Sequence, residues 1–197
     1  MPLRHMRRAF LLMALLAAGC RPQPYVWHGS PYSDPQPAPA FALVDTAGRA
    51  FDLGEARGSA VLLYFGYTYC PDVCPATTAD VAWSMEQLGL LAERATFAFI
   101  TVDPRRDTAE VLRRFLDGFN TRFVGLTGTP AQLESTRQAY GVYAEPEPSA
   151  DPDTYLITHT SRLFLIDSDG LLVASYPFGT PRADLLADLQ HVLESIP

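Results

Sequence analysis

An α/β sandwich is the fold class this sequence predicts, and three observations carry the prediction. Residues 61–65 and 95–102 are continuous apolar runs of the kind that form buried strands. Segments with apolar residues at helical spacing separate and follow them. Near the end, two apolar runs flank the turn Asp167-Ser-Asp-Gly170 and lead into a last helix.

The elements follow in order. Residues 41–44 and 50–53 flank the turn-rich link Asp45-Thr-Ala-Gly48 and read as a short N-terminal β-hairpin. After the strand at 61–65, a helix is expected over 75–91, with apolar or small residues at Ala79, Ala82, Trp83, Leu88 and Leu91. The strand at 95–102 precedes Asp107-Thr-Ala-Glu110, which has the form of a capping box, with Val111, Leu112, Phe115 and Leu116 following at helical spacing. A short strand at 123–126 leads to a second box, Thr129-Pro-Ala-Gln132, with Pro130 at the first helical position of a helix reaching Tyr140. Strands at 154–158 and 163–166, a hairpin into 171–176 and a helix from Pro181 to Ser195 complete the chain. This order is that of a thioredoxin-like sandwich, in which the loop after the first core strand carries the chemistry.

Three stretches differ in character. Arg4, Arg7 and Arg8 precede an uncharged run over 9–19, the length of a signal-peptide core and short of the roughly 20 residues that span a bilayer. Residues 1–19 therefore read as an export signal. Small residues before Cys20 resemble a lipoprotein box, which makes Cys20 the lipidation candidate and an N-terminal membrane anchor; cleavage without lipid and an uncleaved anchor are the alternatives. Residues 20–38 are rich in proline and read as a semi-rigid spacer, leaving 39–197 as one globular domain. Beyond residue 19 the chain has 12 basic and 22 acidic residues, a net charge of −10, which argues against a nucleic-acid partner.

The loop after the first core strand reads Gly66-Tyr-Thr-Tyr-Cys70-Pro-Asp-Val-Cys74-Pro75. Prolines after both cysteines disfavour helix at each, so Cys70 is expected in a loop and Cys74 at the N-cap with Pro75 opening the helix. The positive helix end then makes Cys74 the expected thiolate. Such a pair either binds a soft metal or performs redox chemistry. The segment Thr158-His159-Thr160-Ser161 bears on the choice, because a redox thioredoxin carries a cis-proline there and this chain carries His159. Two thiolates and an imidazole suit copper, Cu(I) above all, with zinc as the competitor; a closed structural zinc site would need a fourth ligand. Asp72 is a candidate for support around the metal or for shaping the turn.

Tyr64-Phe-Gly-Tyr-Thr-Tyr-Cys70-Pro-Asp-Val-Cys74-Pro75, then Val102-Asp-Pro-Arg-Arg-Asp-Thr108, then Thr158-His159 before Leu163-Phe-Leu-Ile-Asp-Ser-Asp-Gly170 together resemble the Sco/SenC family. The resemblance implies a copper-binding, thioredoxin-like metallochaperone with Cys70, Cys74 and His159 as ligands. It would act outside the cytoplasmic membrane in assembling the binuclear copper centre of cytochrome c oxidase. Its implied partners are the copper-bearing oxidase subunit and another copper chaperone as donor. The alternative is a cell-envelope thiol-disulfide oxidoreductase using Cys70 and Cys74. Asp103 and Asp107 are expected to cap local structure with Arg105 and Arg106 solvated, residues 144–153 to form a mobile loop, and His28 and His191 to be incidental.

Overall fold

The structure, a computed structural model, describes residues 24–151 and 154–196. The expected signal segment and Cys20 lie outside the described residues. Eight strands form one sheet in the order β1-β10-β9-β4-β5-β6-β2-β3, with β4, β5 and β6 parallel to one another and the other pairings antiparallel. The strands are β1 (Ser30–Pro37), β2 (Leu43–Asp45), β3 (Ala50–Phe51), β4 (Ala60–Gly66), β5 (Ala95–Thr101), β6 (Val124–Thr127), β9 (Arg162–Ile166) and β10 (Leu171–Pro177). A separate two-stranded hairpin pairs β7 (Ala144–Pro146) with β8 (Ile157–His159). The helices are α1 (Val73–Leu88), continued by a 3-10 turn over Gly89–Arg94, then α2 (Ala109–Asp117), α3 (Pro130–Ala139) and α4 (Arg182–Glu194). This is the predicted thioredoxin-like sandwich.

β4 is buried along its whole length, and its alternation divides the core. Leu62 and Tyr64 face α1, α2 and α4 together with Phe97, Phe99, Leu112 and Leu189. Val61, Leu63 and Phe65 face the opposite layer with Ile100, Leu133 and Tyr140. A parallel strand between two layers must be apolar on both faces, which is why 61–65 is an unbroken apolar run. The predicted capping box at α3 forms in full: the Thr129 hydroxyl accepts from Gln132 N and the Gln132 side chain accepts from Thr129 N.

The structure departs from three expectations. First, residues 30–37 are not spacer: β1 pairs with β10 at the sheet edge, and its prolines fit there because an outer strand needs few ladder donors. Second, Ala144–Pro146 of the expected mobile loop is the first arm of the β7/β8 hairpin, held by pairing with Ile157–His159. Third, α1 starts at Val73, two residues before the expected Pro75. Pro75 is tolerated inside the first turn because an N–H at that position has no intrahelical partner.

The segment Tyr25–Gly29 docks on α4 through Asp188, a carboxylate with no solvent exposure. Asp188 accepts from Tyr25 OH at 2.7 Å, Gly29 N at 2.9 Å, His28 Nδ1 at 3.0 Å, His28 N at 3.1 Å and Tyr176 OH at 3.1 Å. His191 stacks on Tyr25 with ring centroids 3.6 Å apart. His28 and His191 are thus parts of a clasp. Burial alone would push the Asp188 carboxyl up, but the bonds from Gly29, His28 and Tyr25 outweigh it and hold the group below its ordinary value. A depressed carboxylate contributes stability above its unfolded value of about 3.9 and loses it as the pH falls through the folded one. Asp188→Ala should lower stability by about 3 kcal/mol, since it strands several buried donors. Urea melts at pH 7 and pH 3.5 check this: the deficit of the variant should be large at pH 7 and smaller at pH 3.5.

Candidate metal centre

β4 ends at Gly66, and the chain turns through Tyr67, Thr68 and Tyr69 into Cys70 before α1 begins. The first helical bond runs from Ala76 N to Asp72 O, so the N–H groups preceding it point out of the helix mouth. One of them, Cys74 N, donates to Cys70 Sγ at 3.4 Å. The group at the positive helix end is therefore the sulfur of Cys70, and Cys74 lies inside the first turn, fully buried. β8 brings His159 in from the other side, its Nε2 3.4 Å from Cys74 Sγ. The three candidate ligand atoms lie within 4.8 Å of one another, the spacing a single ion needs.

The electrostatics reverse the expectation that Cys74 is the thiolate. Cys70 is lowered to about 3, first by the hydrogen bond from the Cys74 thiol and then, against the opposing effect of burial, by His159 and the backbone N–H groups of Cys74 and Asp72. The Cys74 thiol is pushed up, first by donating to Cys70 and then by burial. The half-buried Cys70 sulfur, which accepts from Cys74 N at the helix mouth, is the one favoured as thiolate, and buried Cys74 is favoured as thiol. The two cysteines share one proton, and only position in three dimensions decides which holds it.

His159 Nδ1 lies 3.3 Å from the carbonyl oxygen of Thr160. Nε2 is the ring nitrogen that faces Cys74 Sγ and would ligate a metal there, with Nδ1 placed beside the carbonyl to hold the ring proton in that state. Tyr64 and Tyr67 meet the imidazole edge-on, with centroids 6.3 and 5.8 Å away, and fix its plane. The Tyr64 hydroxyl donates to Cys74 Sγ at 3.7 Å, and Tyr67 OH accepts from Ile157 N at 3.1 Å. Asp72 is exposed, caps nothing with its side chain and stands at the mouth of an open cleft of about 260 Å³, with Pro71, Cys70, Glu147, Leu156 and His159 around it. Its backbone, not its carboxylate, serves the site.

The reading of Asp103 and Asp107 as caps and of Arg106 as solvated is corrected, while Arg105 is exposed as expected. Thr108 caps α2, accepting from Val111 N. Asp107 instead turns inward, where its carboxylate accepts from Thr68 N at 3.2 Å and from the hydroxyls of Thr68 and Thr101, each at 2.6 Å. It ties the start of the cysteine loop to the end of β5. Asp103 is buried and paired with Arg106. Tyr64 and Asp107 were legible only as core and cap, because in sequence a residue that faces the site and one that faces away look the same.

A family model, SCO1/SenC, matches residues 30–194. The chain belongs to the SCO1/SenC family. It is similar to the mitochondrial SCO2 homolog of Homo sapiens, with 36% identity over 140 residues, covering 69% of this chain and 52% of that protein. It is also similar to a SCO2-like protein of Rickettsia prowazekii, with 37% identity over 131 residues, covering 66% of this chain and 64% of that protein. The matched region thus spans between half and two thirds of these relatives. Among solved structures, ScoI of Bradyrhizobium japonicum with copper bound superimposes with a TM-score of 0.73 at 32% identity, covering 80% of this chain and 99% of that one. Apo Sco1 of Thermus thermophilus gives a TM-score of 0.76 at 33% identity, covering 86% and 98%. Among the described residues no helix is long and apolar enough to cross a membrane.

Proposed function

We propose that this SCO1/SenC protein binds one copper ion through Cys70 Sγ, Cys74 Sγ and His159 Nε2 and serves cytochrome c oxidase assembly, by delivering that copper or by preparing the cysteines of the acceptor. The observation that carries the reading is the convergence of two sulfurs and one oriented imidazole nitrogen from separate elements at an open cleft. Soft thiolates and a borderline nitrogen suit Cu(I), and a three-ligand site at an open cleft is one ligand short of closed structural zinc and leaves a side open for ligand exchange. The copper-bound ScoI structure supports the same cargo. Lipid anchoring through Cys20 at the outer face of the cytoplasmic membrane belongs to this reading.

Titration of the reduced chain with Cu(I) and with Cu(II) tests it: one ion per chain is expected, and loss of binding when Cys70 and Cys74 are joined in a disulfide. No binding of either ion would sink the proposal. A specific observation also favours thiol chemistry, since an accessible thiolate beside a buried thiol is the arrangement of an attacking and a resolving cysteine. His159→Ala separates the two, because a reductase would keep its dithiol activity while a copper site would lose affinity.

Proton counting gives a further check. With Cys70 already deprotonated and only Cys74 carrying a proton, Cu(I) should displace one proton per chain. The affinity should therefore rise about tenfold per pH unit between pH 7 and 9, where two bound protons would give about a hundredfold. Chelator competition across that range measures the slope.

A further inference from the structure

We infer that Arg106 is a positioning residue for the Cys–Cys–His site: its guanidinium latches the histidine hairpin to the cysteine loop. The consequence for metal affinity rests on the copper reading; the latch rests on geometry alone. The guanidinium carbon lies 3.6 Å from the ring centroid of Tyr155, 4.8 Å from that of Tyr69 and 5.9 Å from that of Tyr67. Tyr67 and Tyr69 belong to the loop that ends in Cys70, and Tyr155 leads into β8 and His159. One cation from the turn between β5 and α2 thus contacts both ligand-bearing segments.

The cation is held in place. Arg106 Nε pairs with Asp103 Oδ2 at 2.5 Å, with side chains 11% and 2% exposed, and the Tyr155 hydroxyl donates to the other Asp103 oxygen at 2.7 Å. A desolvated cation binds aromatic faces more strongly than a hydrated one, and the planar guanidinium stacks where an ammonium would only approach. The hairpin needs such a tether. β7 and β8 hydrogen-bond to each other and to no strand of the main sheet, and β8 reaches β9 through only Thr160 and Ser161. The distance from His159 to the sulfurs then depends on side-chain contacts: the Arg106 cluster, the bond from Ile157 N to Tyr67 OH, the bond from Arg137 Nη1 to Ala144 O, and the packing of Ile157, Tyr64 and Tyr67 around the histidine.

Amide exchange of the metal-free chain and Cu(I) competition by a chromophoric chelator test the latch together. Arg106→Met removes the cation; because it strands the Asp103 carboxylate, the D103N/R106M pair and Tyr155→Leu, which keeps the ion pair, are measured beside it. All three should speed exchange at Ile157 and Thr160 by about tenfold or more, with β4 and β5 amides unchanged. Arg106→Lys, which retains charge but not the stacked plane, should fall between. Cu(I) affinity should drop on the order of 10–100-fold, the usual loss when a residue orienting a ligand is removed. Unchanged exchange at Ile157 and Thr160, or equal loosening of hairpin and core, overturns the latch. If the native chain binds no copper, the copper reading falls while the exchange pattern still decides the latch.

Discussion

Replacing Cys74 by serine should cost Cu(I) affinity on the order of a thousandfold, the largest effect expected of any single change in this chain. Structural zinc sites built from the same ligand types hold their ions by about 10–16 kcal/mol over four ligands, and on that scale one thiolate contributes about 4 kcal/mol. Cys74 is fully buried, within 3.4 Å of His159 Nε2, and takes the Tyr64 hydroxyl as a donor, so a hydroxyl in its place can neither ionise nor be replaced by water from outside. Cys70→Ser should lose somewhat less, because Cys70 is half-buried and a hydroxyl oxygen there can still accept from Cys74 N. His159→Ala should lose less, because imidazole binds as a neutral ligand and the thiolate pair remains. Chelator competition on the reduced proteins ranks the three, and a serine variant with native affinity would remove the sulfurs from the site.

Gly66→Ala should both destabilise the fold and displace a ligand. A Cβ at Gly66 would lie 2.8 Å from Phe99 Cζ, 2.8 Å from Tyr64 Cε1 and 3.0 Å from Cys74 Sγ, all inside normal contact. Tyr64, Phe99 and Cys74 are completely buried and have nowhere to go. Overpacking of this kind costs about 1–3 kcal/mol, which for a chain of this size lowers Tm by about 2–12 °C. The same methyl crowds the Cys74 sulfur beside His159, so Cu(I) affinity should fall with Tm. A thermal melt with the chelator assay reads both, and a drop in Tm at unchanged affinity would mean that the strain is relieved on the Phe99 side.

Much of this was legible in the chain. The apolar run at 61–65 could only be a strand buried on both faces, and Thr129-Pro-Ala-Gln132 became a complete capping box because that signal is local and needs no partner from elsewhere. Asp107-Thr-Ala-Glu110 looked equally local and misled. Two neighbouring residues could serve as cap; Thr108 took the role, while Asp107 was drawn inward by Thr68 and Thr101, which no periodicity reveals. Residues 30–37 read as spacer because an edge strand with three prolines has the composition of one. Asp188, in the middle of a helix and so ordinarily solvent-facing, became the anchor for Tyr25 and His28 only once α4 was laid beside them.

The sequence by itself determined the candidate ligand types, the layer order and the loop in which the cysteines sit, because these follow from side-chain chemistry, hydrophobic period and proline placement within a few residues. Tertiary structure alone decided that Cys70 rather than Cys74 holds the negative charge, that Nε2 of His159 faces the sulfurs, and that Arg106 and Asp107 join the site. Each of those depends on a distance between segments far apart in the chain, and protonation and hydrogen bonding are set by such distances.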